Sequence, residues 1–347
     1  MKKKALLEWK ASVPVKKQKD KKYFGNLKWE VIDAGICSHC GTCVAICPVY
    51  GIVYEDKPIH FPNWEKECID DGACVKYCPR VDYKPLSGLG EYTEIVAARS
   101  SRFSGQDGGM VTEIFATALD SKLIDTAVVV GRDNKWQPQT KVARSTKMLD
   151  DEKLRGSKYS WASAIPDLRD ALKAAKKPGV VGTPCMTSGH RNLQKNVNLF
   201  SKIQLVISTF CMENFYYHQL AKFLKGKEID DLSKVTKMDI TKGKFIATLD
   251  DGSEVKFPIK EMDDIVPSGC MVCQDFTGVE SDISVGSVGS DDGYSTVIVR
   301  TERGKEVMDA LREGGNVELA EVDTEPIQKN ADLKVKKHPY PPPEEEG

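Results

Sequence analysis

No apolar run in this 347-residue chain approaches the ~20 residues that a membrane-spanning helix needs, and its N-terminus has no signal-peptide core. A soluble, intracellular, cytoplasmic protein is expected. Net charge is almost absent as well: 50 Lys and Arg stand against 51 Asp and Glu. No global field therefore draws the chain to nucleic acid, and any electrostatic docking must be local. A dinucleotide fingerprint is missing, because neither Gly88-Leu89-Gly90 nor Gly105 to Gly109 has the spacing G-x-G-x-x-G in a strand-turn-helix setting. That disfavours a conventional NAD domain. Histidines number 5, and none suggests a catalytic base: His39 lies inside a cysteine loop and the others are isolated.

Cysteine is what the chain has. Eleven in an intracellular protein point to metal rather than to disulfides, since the cytosol keeps thiols reduced. Cys37, Cys40, Cys43 and Cys47, followed by Pro48, spell C-x2-C-x2-C-x3-C-P, the ligand run of a 4Fe-4S cubane in two-cluster ferredoxins. The first three sulfurs reach one cube, and the fourth ligates the neighbouring cluster. Zinc prefers two separated Cys pairs to thiolates this crowded. A partner motif follows at Cys68, Cys74, Cys78 and Pro79, with Asp71 standing where a cysteine would complete it. Asp71 either occupies an iron corner through its carboxylate or faces solvent beside a three-iron or water-ligated cluster.

Four cysteines remain. Cys185 follows the strand-like Val180-Val181-Gly182 and Cys211 follows Leu205 to Ser208, so both fall at carboxyl ends of strands, where open α/β sheets gather ligands. Cys270 and Cys273 form a C-x2-C pair on a Pro-Ser-Gly loop. Spacing leaves two readings open: a third cubane site made by all four, or buried core thiols at Cys185 and Cys211.

The organisation is uneven. Residues 1–22 carry nine lysines against Glu8 and Asp20, either a solvated tail or a dock for an acidic protein or anionic membrane. Pro339 to Gly347, rich in Pro and Glu, reads as a tail or a partner-bound strap. Pro85 to Glu91 is Gly-rich and polar and reads as a linker. Beyond it, strands are expected at 94–98, 127–130, 179–182 and 205–208, with helices at 110–122, 165–176 and 217–224. A hairpin at 244–249 and 254–258 around Asp250-Asp251-Gly252 follows, then strands at 283–288 and 296–300.

Gly105-Gln106-Asp107-Gly108-Gly109 precedes the helix at Met110 and carries Thr112 into its first turn, a place where free amides favour a phosphate or serve only as a turn and cap. Together with Gly182-Thr183-Pro184-Cys185, the segment 270–276 and Asp282-Ile283-Ser284-Val285-Gly286-Ser287-Val288-Gly289, this loop resembles the motif series of the family of coenzyme F420 hydrogenase/dehydrogenase beta subunits. The resemblance spans about residues 90–315 in the family's order. It implies an N-terminal two-cluster ferredoxin-like module (residues 1–86) fused to an α/β FAD- and F420-binding domain (87–335), with a tail at 336–347. It further implies FAD, a third 4Fe-4S cluster at Cys185, Cys211, Cys270 and Cys273, and reduced F420 as hydride donor. Gly105, Gln106, Asp107, Gly108, Gly109 and Thr112 would hold FAD, with Gly182, Thr183, Pro184, Ser284, Gly286 and Ser287 lining the same crevice. Ser157, Lys158 and Tyr159 would meet an anionic deazaflavin tail or form a helix-entry loop. Within the family, the fused cluster module most resembles electron-input subunits of membrane-bound F420H2 dehydrogenase complexes. That implies complex subunits or ferredoxin as partners, and a peripheral place on the inner membrane face.

Overall fold

The computed structural model describes residues 23–340 apart from Asp56 and Ser163. The lysine-rich segment 1–22 and residues 341–347 of the Pro/Glu tail lie outside the described residues. The first unit starts with the helix Phe24–Leu27, which runs on as a π-helical turn, Lys28–Ile32. Short helices at Thr42–Ile46, Trp64–Glu67 and Ala73–Lys76 surround a two-stranded antiparallel ribbon, β1 (Val53–Glu55) and β2 (Lys57–His60). The paired motifs repeat one local device: Gly41 (φ +84°) and Gly72 (φ +68°) take the left-handed conformation that lets a cysteine loop turn straight into a helix. Phe24, Leu27, Val31, Ile52, Ile59, Phe61 and Val75 fill a core of their own.

Eleven further strands follow among the described residues: β3 (Glu94–Ser100), β4 (Thr126–Arg132), β5 (Pro138–Ala143), β6 (Pro178–Gly182), β7 (Leu205–Thr209), β8 (Val235–Thr241), β9 (Lys244–Leu249), β10 (Glu254–Pro258), β11 (Ile283–Gly286), β12 (Ser295–Val299) and β13 (Val317–Ala320). Eight form one sheet in the order β13-β3-β12-β11-β7-β6-β4-β5. Its centre, β11-β7-β6-β4, is parallel, and the flanking pairs are antiparallel. Every residue of β6 and β12 is buried, as expected of strands covered on both faces. Helices Met110–Asp120 and Glu302–Gly314 pack Ile114, Phe115, Met308 and Leu311 against one face. Ala164–Ala171 and Pro184–Asn196 pack Ile165, Leu168, Met186 and Leu193 against the other. Gly179 makes room for this, since a Cβ there would stand 3.0 Å from the Phe115 ring.

The strands β8, β9 and β10 form a separate antiparallel meander, with the expected hairpin found at 244–249 and 254–258. Trp136 Nε1 donates to the Val235 carbonyl (2.7 Å) and ties it to the large sheet. The helix expected at 165–176 closes at Ala171, because Lys173 and Ala174 bond carbonyls only three residues back and Pro178 forbids continuation. The strand expected to reach Val288 ends at Gly286.

The two units are stitched together. A Cβ at Gly269 would collide with the Cys37 carbonyl, and one at Gly189 with the Thr42 hydroxyl. Arg169 donates to the Ala45 carbonyl (3.2 Å), Asn192 to that of Tyr77 (2.9 Å). The linker is strapped by Arg300, which donates to the carbonyls of Leu89 and Glu91. The tail expected from residue 336 needs correction: helix Glu325–Lys337 runs through that boundary, and His338 beyond it is buried.

Candidate redox site

Parallel strands share a direction, so β3, β4, β6, β7 and β11 bring Ser100, Arg132, Gly182, Thr209 and Gly286 to one edge of the sheet. The chemistry-bearing loops leave from that edge or pack beneath it.

The cysteines sort into three sets. Cys37, Cys40 and Cys43 line one small cavity with Cys78 of the second motif, among Leu27, Val31, Ile32 and Ile59. This is the exchanged pattern that the spacing predicts. Cys74 faces Cys68, Asp71 and Cys47, which supplies the reciprocal exchange. Cys185, Cys211, Cys270 and Cys273 face one another although they come from three places in the fold. All are free thiols. Burial pushes Cys37, Cys74 and Cys211 up to about 12 and Cys185 to about 11, and raises Cys43, Cys78 and Cys270 well above the ordinary thiol. Thiols so desolvated ionise only when a cation replaces the proton. Sulfur-rich sets in an apolar surround fit iron–sulfur clusters, and among the described residues no three Cys, His, Asp or Glu cluster tightly enough to hold a single ion. Asp71 brings the only oxygen to its set, and its Oδ1 accepts a long bond from the Ala73 amide (3.4 Å).

The sets are neighbours. The Cys185 thiol lies 3.7 Å from the Ser38 carbonyl, inside the first motif's loop. A cavity of about 820 Å³ is lined by Asp71, Cys78, Arg80, Cys185 and Cys273, so members of all three sets open onto it. Two buried cations attend the third set. Lys334 donates to the carbonyls of Cys211 (2.5 Å) and Asp275 (2.8 Å). Arg80 is 3 % exposed and stacks over Tyr83 (4.0 Å). His338 donates from Nδ1 to the Cys273 carbonyl (3.0 Å), with Nε2 3.1 Å from the Glu213 carboxylate. Sequence reading missed Arg80 and Glu213, each two residues past a cysteine but outside any ligand spacing, and Lys334 and His338, which no local spacing connects to a cysteine.

The glycine loop is held from behind. Glu113, fully buried, accepts from Ser100 (2.6 Å) and Arg102 (2.5 Å), and Arg102 also pairs with Asp120. Gly109 (φ +70°) precedes Met110 and supplies no side-chain cap, leaving the first-turn amides that include Thr112 uncapped. Gln106 accepts from the Ser157 amide (3.1 Å) and donates to the Met238 carbonyl (3.1 Å). Asp107 bonds Ser287, while burial raises its carboxyl. Tyr159 accepts from the Ile240 amide (3.1 Å). The structure thus brings Gln106, Asp107, Ser157, Tyr159 and Ser287 close to one another. Uncapped amides beside hydroxyls and an amide side chain suit the diphosphate of a flavin dinucleotide.

Other expected residues are engaged within the protein itself. Ser284 is buried and turned inward, bonded to Ser281 (2.8 Å), the Gly278 carbonyl and Arg300 (3.0 Å), so it is not free to meet a cofactor. The Phe210 ring occupies the space beside Gly286. A Cβ at Gly108 would collide with the Ala98 carbonyl and approach the Ser295 amide, so its compactness serves the sheet. Gly182 likewise yields to Met186. Thr183 and Pro184 open the helix that carries Cys185, and Pro184 reaches the large cavity. Lys158 donates to the Leu154 carbonyl (2.5 Å), and burial, with Arg132 and Lys141 beside it, lowers its ammonium to about 7. Arg132 stacks on Trp136 (4.1 Å), with its Nε lacking a partner.

Three family descriptions match: a 4Fe-4S dicluster domain at residues 30–79, and the N-terminal and C-terminal parts of the beta subunit of coenzyme F420 hydrogenase/dehydrogenase, at 95–168 and 175–325. One subunit of the F420H2 dehydrogenase of Methanosarcina mazei is 34% identical over 82% of this chain and 84% of its own length. The coenzyme F420-dependent sulfite reductase of Methanocaldococcus jannaschii is 37% identical over 89% of this chain, which spans 50% of that longer protein. A chain of the F420-reducing NiFe hydrogenase complex from Methanosarcina barkeri superposes with a TM-score of 0.69 at 33% identity, covering 74% of this chain and 92% of that one.

Proposed function

This chain belongs to the family of coenzyme F420 hydrogenase/dehydrogenase beta subunits, as an F420-linked oxidoreductase subunit with iron–sulfur ligands, and from that premise we propose that it takes a hydride from reduced F420 onto FAD and passes single electrons to a partner. The observation that carries this reading is the contact between Cys185 and Ser38, which joins a ligand set at the sheet's carboxyl edge to the ferredoxin-like pair. A flavin, when bound, accepts electrons in pairs and releases them singly, and the clusters carry them one at a time.

The chain's own residues have binding and insulating work. The amides after Gly109, with Gln106, Asp107, Ser157 and Ser287, hold the flavin's diphosphate side. Lys158 and Arg132 face the donor's anionic tail. Cys185, Cys211, Cys270 and Cys273 hold the first cluster in line; Cys37, Cys40, Cys43 and Cys78 the second; Cys47, Cys68, Asp71 and Cys74 the last. Apolar side chains and the helix Glu325–Lys337 keep water from the thiolates. No side chain serves as nucleophile or base.

For the partner we favour other components of an F420H2 dehydrogenase complex, with the chain peripheral on the inner membrane face, since this chain spans 84% of that dehydrogenase subunit and only 50% of the longer sulfite reductase. Among the described residues no helix is long and apolar enough to cross a membrane. Ferredoxin is the competing acceptor. Anaerobic purification from the native host with identification of copurifying chains tests this: dehydrogenase subunits support it, and hydrogenase or sulfite reductase partners contradict it.

A further inference from the structure

Arg80 follows Cys78 and Pro79 directly, and its side chain lies almost wholly inside the protein at 3 % exposure. Its Nη1 has no hydrogen-bond partner, and among the described residues it forms no ion pair. Stacking over Tyr83, itself packed edge-on against Tyr340, fixes the guanidinium plane. A buried guanidinium with an empty donor is costly unless anionic charge faces it. Arg80 lines both the cavity of Cys37, Cys40, Cys43 and Cys78 and the larger one of Cys185 and Cys273. The groups that act most strongly on it are Cys273, Tyr83, Cys185 and Cys270, and Cys37 feels it in turn.

We propose that Arg80 is a shared positioning charge between the first-motif cluster and the Cys185/Cys211/Cys270/Cys273 cluster, raising the reduction potential of both. The inference rests on the cluster reading above. A thiolate-ligated cluster is anionic and gains one more negative charge on reduction, so a fixed cation held against it favours the reduced form. Arginine suits the place because it stays charged when buried and because its flat face can stack while its edge donates. Lys334 is the built-in contrast. It faces Cys273 and Cys211 of the third set alone and shares its charge with Asp275, so it acts on one cluster only.

The test is an anaerobic redox titration, followed by electron paramagnetic resonance, of the reconstituted full chain and of Arg80→Gln, Arg80→Lys and Lys334→Gln. Iron content of the wild type comes first: three cluster signals establish the premise, and two would end the cluster reading without bearing on Arg80's charge. Given three, Arg80→Gln is expected to shift two potentials downward together and leave the Cys47/Cys68/Asp71/Cys74 cluster in place, while Lys334→Gln shifts one. Arg80→Lys keeps the charge and is expected to hold both potentials near wild type. Should Arg80→Gln fail to assemble, Arg80→Met, similar in length and uncharged, carries the test with the same two downward shifts expected and unmoved potentials overturning it. Unmoved potentials in Arg80→Gln with full iron, or a fall of both in Arg80→Lys, would overturn the proposal.

Discussion

Asp71 is the one oxygen-bearing side chain beside Cys74, whose other close neighbours Cys47 and Cys68 offer sulfur, and in the proposed cluster it takes the fourth corner. Replacing it by cysteine gives that cluster a softer, more electron-donating corner. Asp71→Cys is therefore expected to retain the iron and to move one potential of three, read by redox titration; an unchanged titration would mean that Asp71 is not a ligand. Lys158 gives a proton-linked prediction. Its folded value near 7 lies below the 10.5 of a free lysine because burial and neighbouring cations disfavour the charged form. An anion placed beside it raises that value again. At pH 8 the free protein then holds Lys158 largely neutral and the bound one charged, so donor binding should take up close to one proton, and at pH 5.5 none. Calorimetry in buffers of different ionisation enthalpy reads this; equal uptake in Lys158→Met would remove Lys158 from the tail site. At this scale the ferredoxin-type ligands were legible because a cluster's geometry forces their spacing into a dozen residues. Lys334 and His338 were not, since each meets Cys211 or Cys273 only through the folding of a distant helix.

Among the elements, the loop 104–109 and the loop 267–273 are the most demanding. On sequence grounds Gly108→Val should block FAD, but the structure puts the added bulk against Ala98 and Ser295 within the sheet. The expected outcome is overpacking, about 1–3 kcal/mol lost, seen as a lower thermal midpoint even without flavin. A variant that folds with wild-type stability and fails only in flavin binding would contradict this. Gly269→Ala acts between units: its methyl meets the Cys37 carbonyl, so iron of both the first and third sets should fall while the Asp71 set survives, as iron analysis and resonance spectra will read. The β9–β10 hairpin was legible because Asp250-Asp251-Gly252 sets its turn and register. Helix Pro184–Asn196 was not, because Gly189, His190 and its Asn and Gln residues dilute the apolar stripe that marks a helix. The edge strands β5, β8 and β13 escaped for a related reason: half-exposed strands carry few apolar residues.

For the whole molecule, sequence suggested two modules joined by a linker, and the structure joins them far more closely. Helix Ala164–Ala171 packs Ile165 against Cys40 and Ala45, and the 820 Å³ cavity takes its walls from both units. Removing residues 1–86 is thus expected to cost the third cluster as well as the first two, read as loss of nearly all iron rather than about two-thirds of it. A truncated protein keeping one intact cluster and full flavin would restore the modular view. The α/β class was legible from alternating Val-rich strands and helices, whereas the docking face was not, because interfaces made by backbone carbonyls and small residues leave no periodic trace. The central claim, that this chain feeds electrons from reduced F420 through a flavin, is met most directly by stopped-flow absorbance of the anaerobic, FAD-loaded full chain mixed separately with reduced F420 and with NADH. Rapid bleaching of the flavin band by reduced F420, followed by cluster reduction, with NADH inert, is the predicted result; bleaching by NADH, or cluster reduction by reduced F420 in protein without flavin, would contradict it.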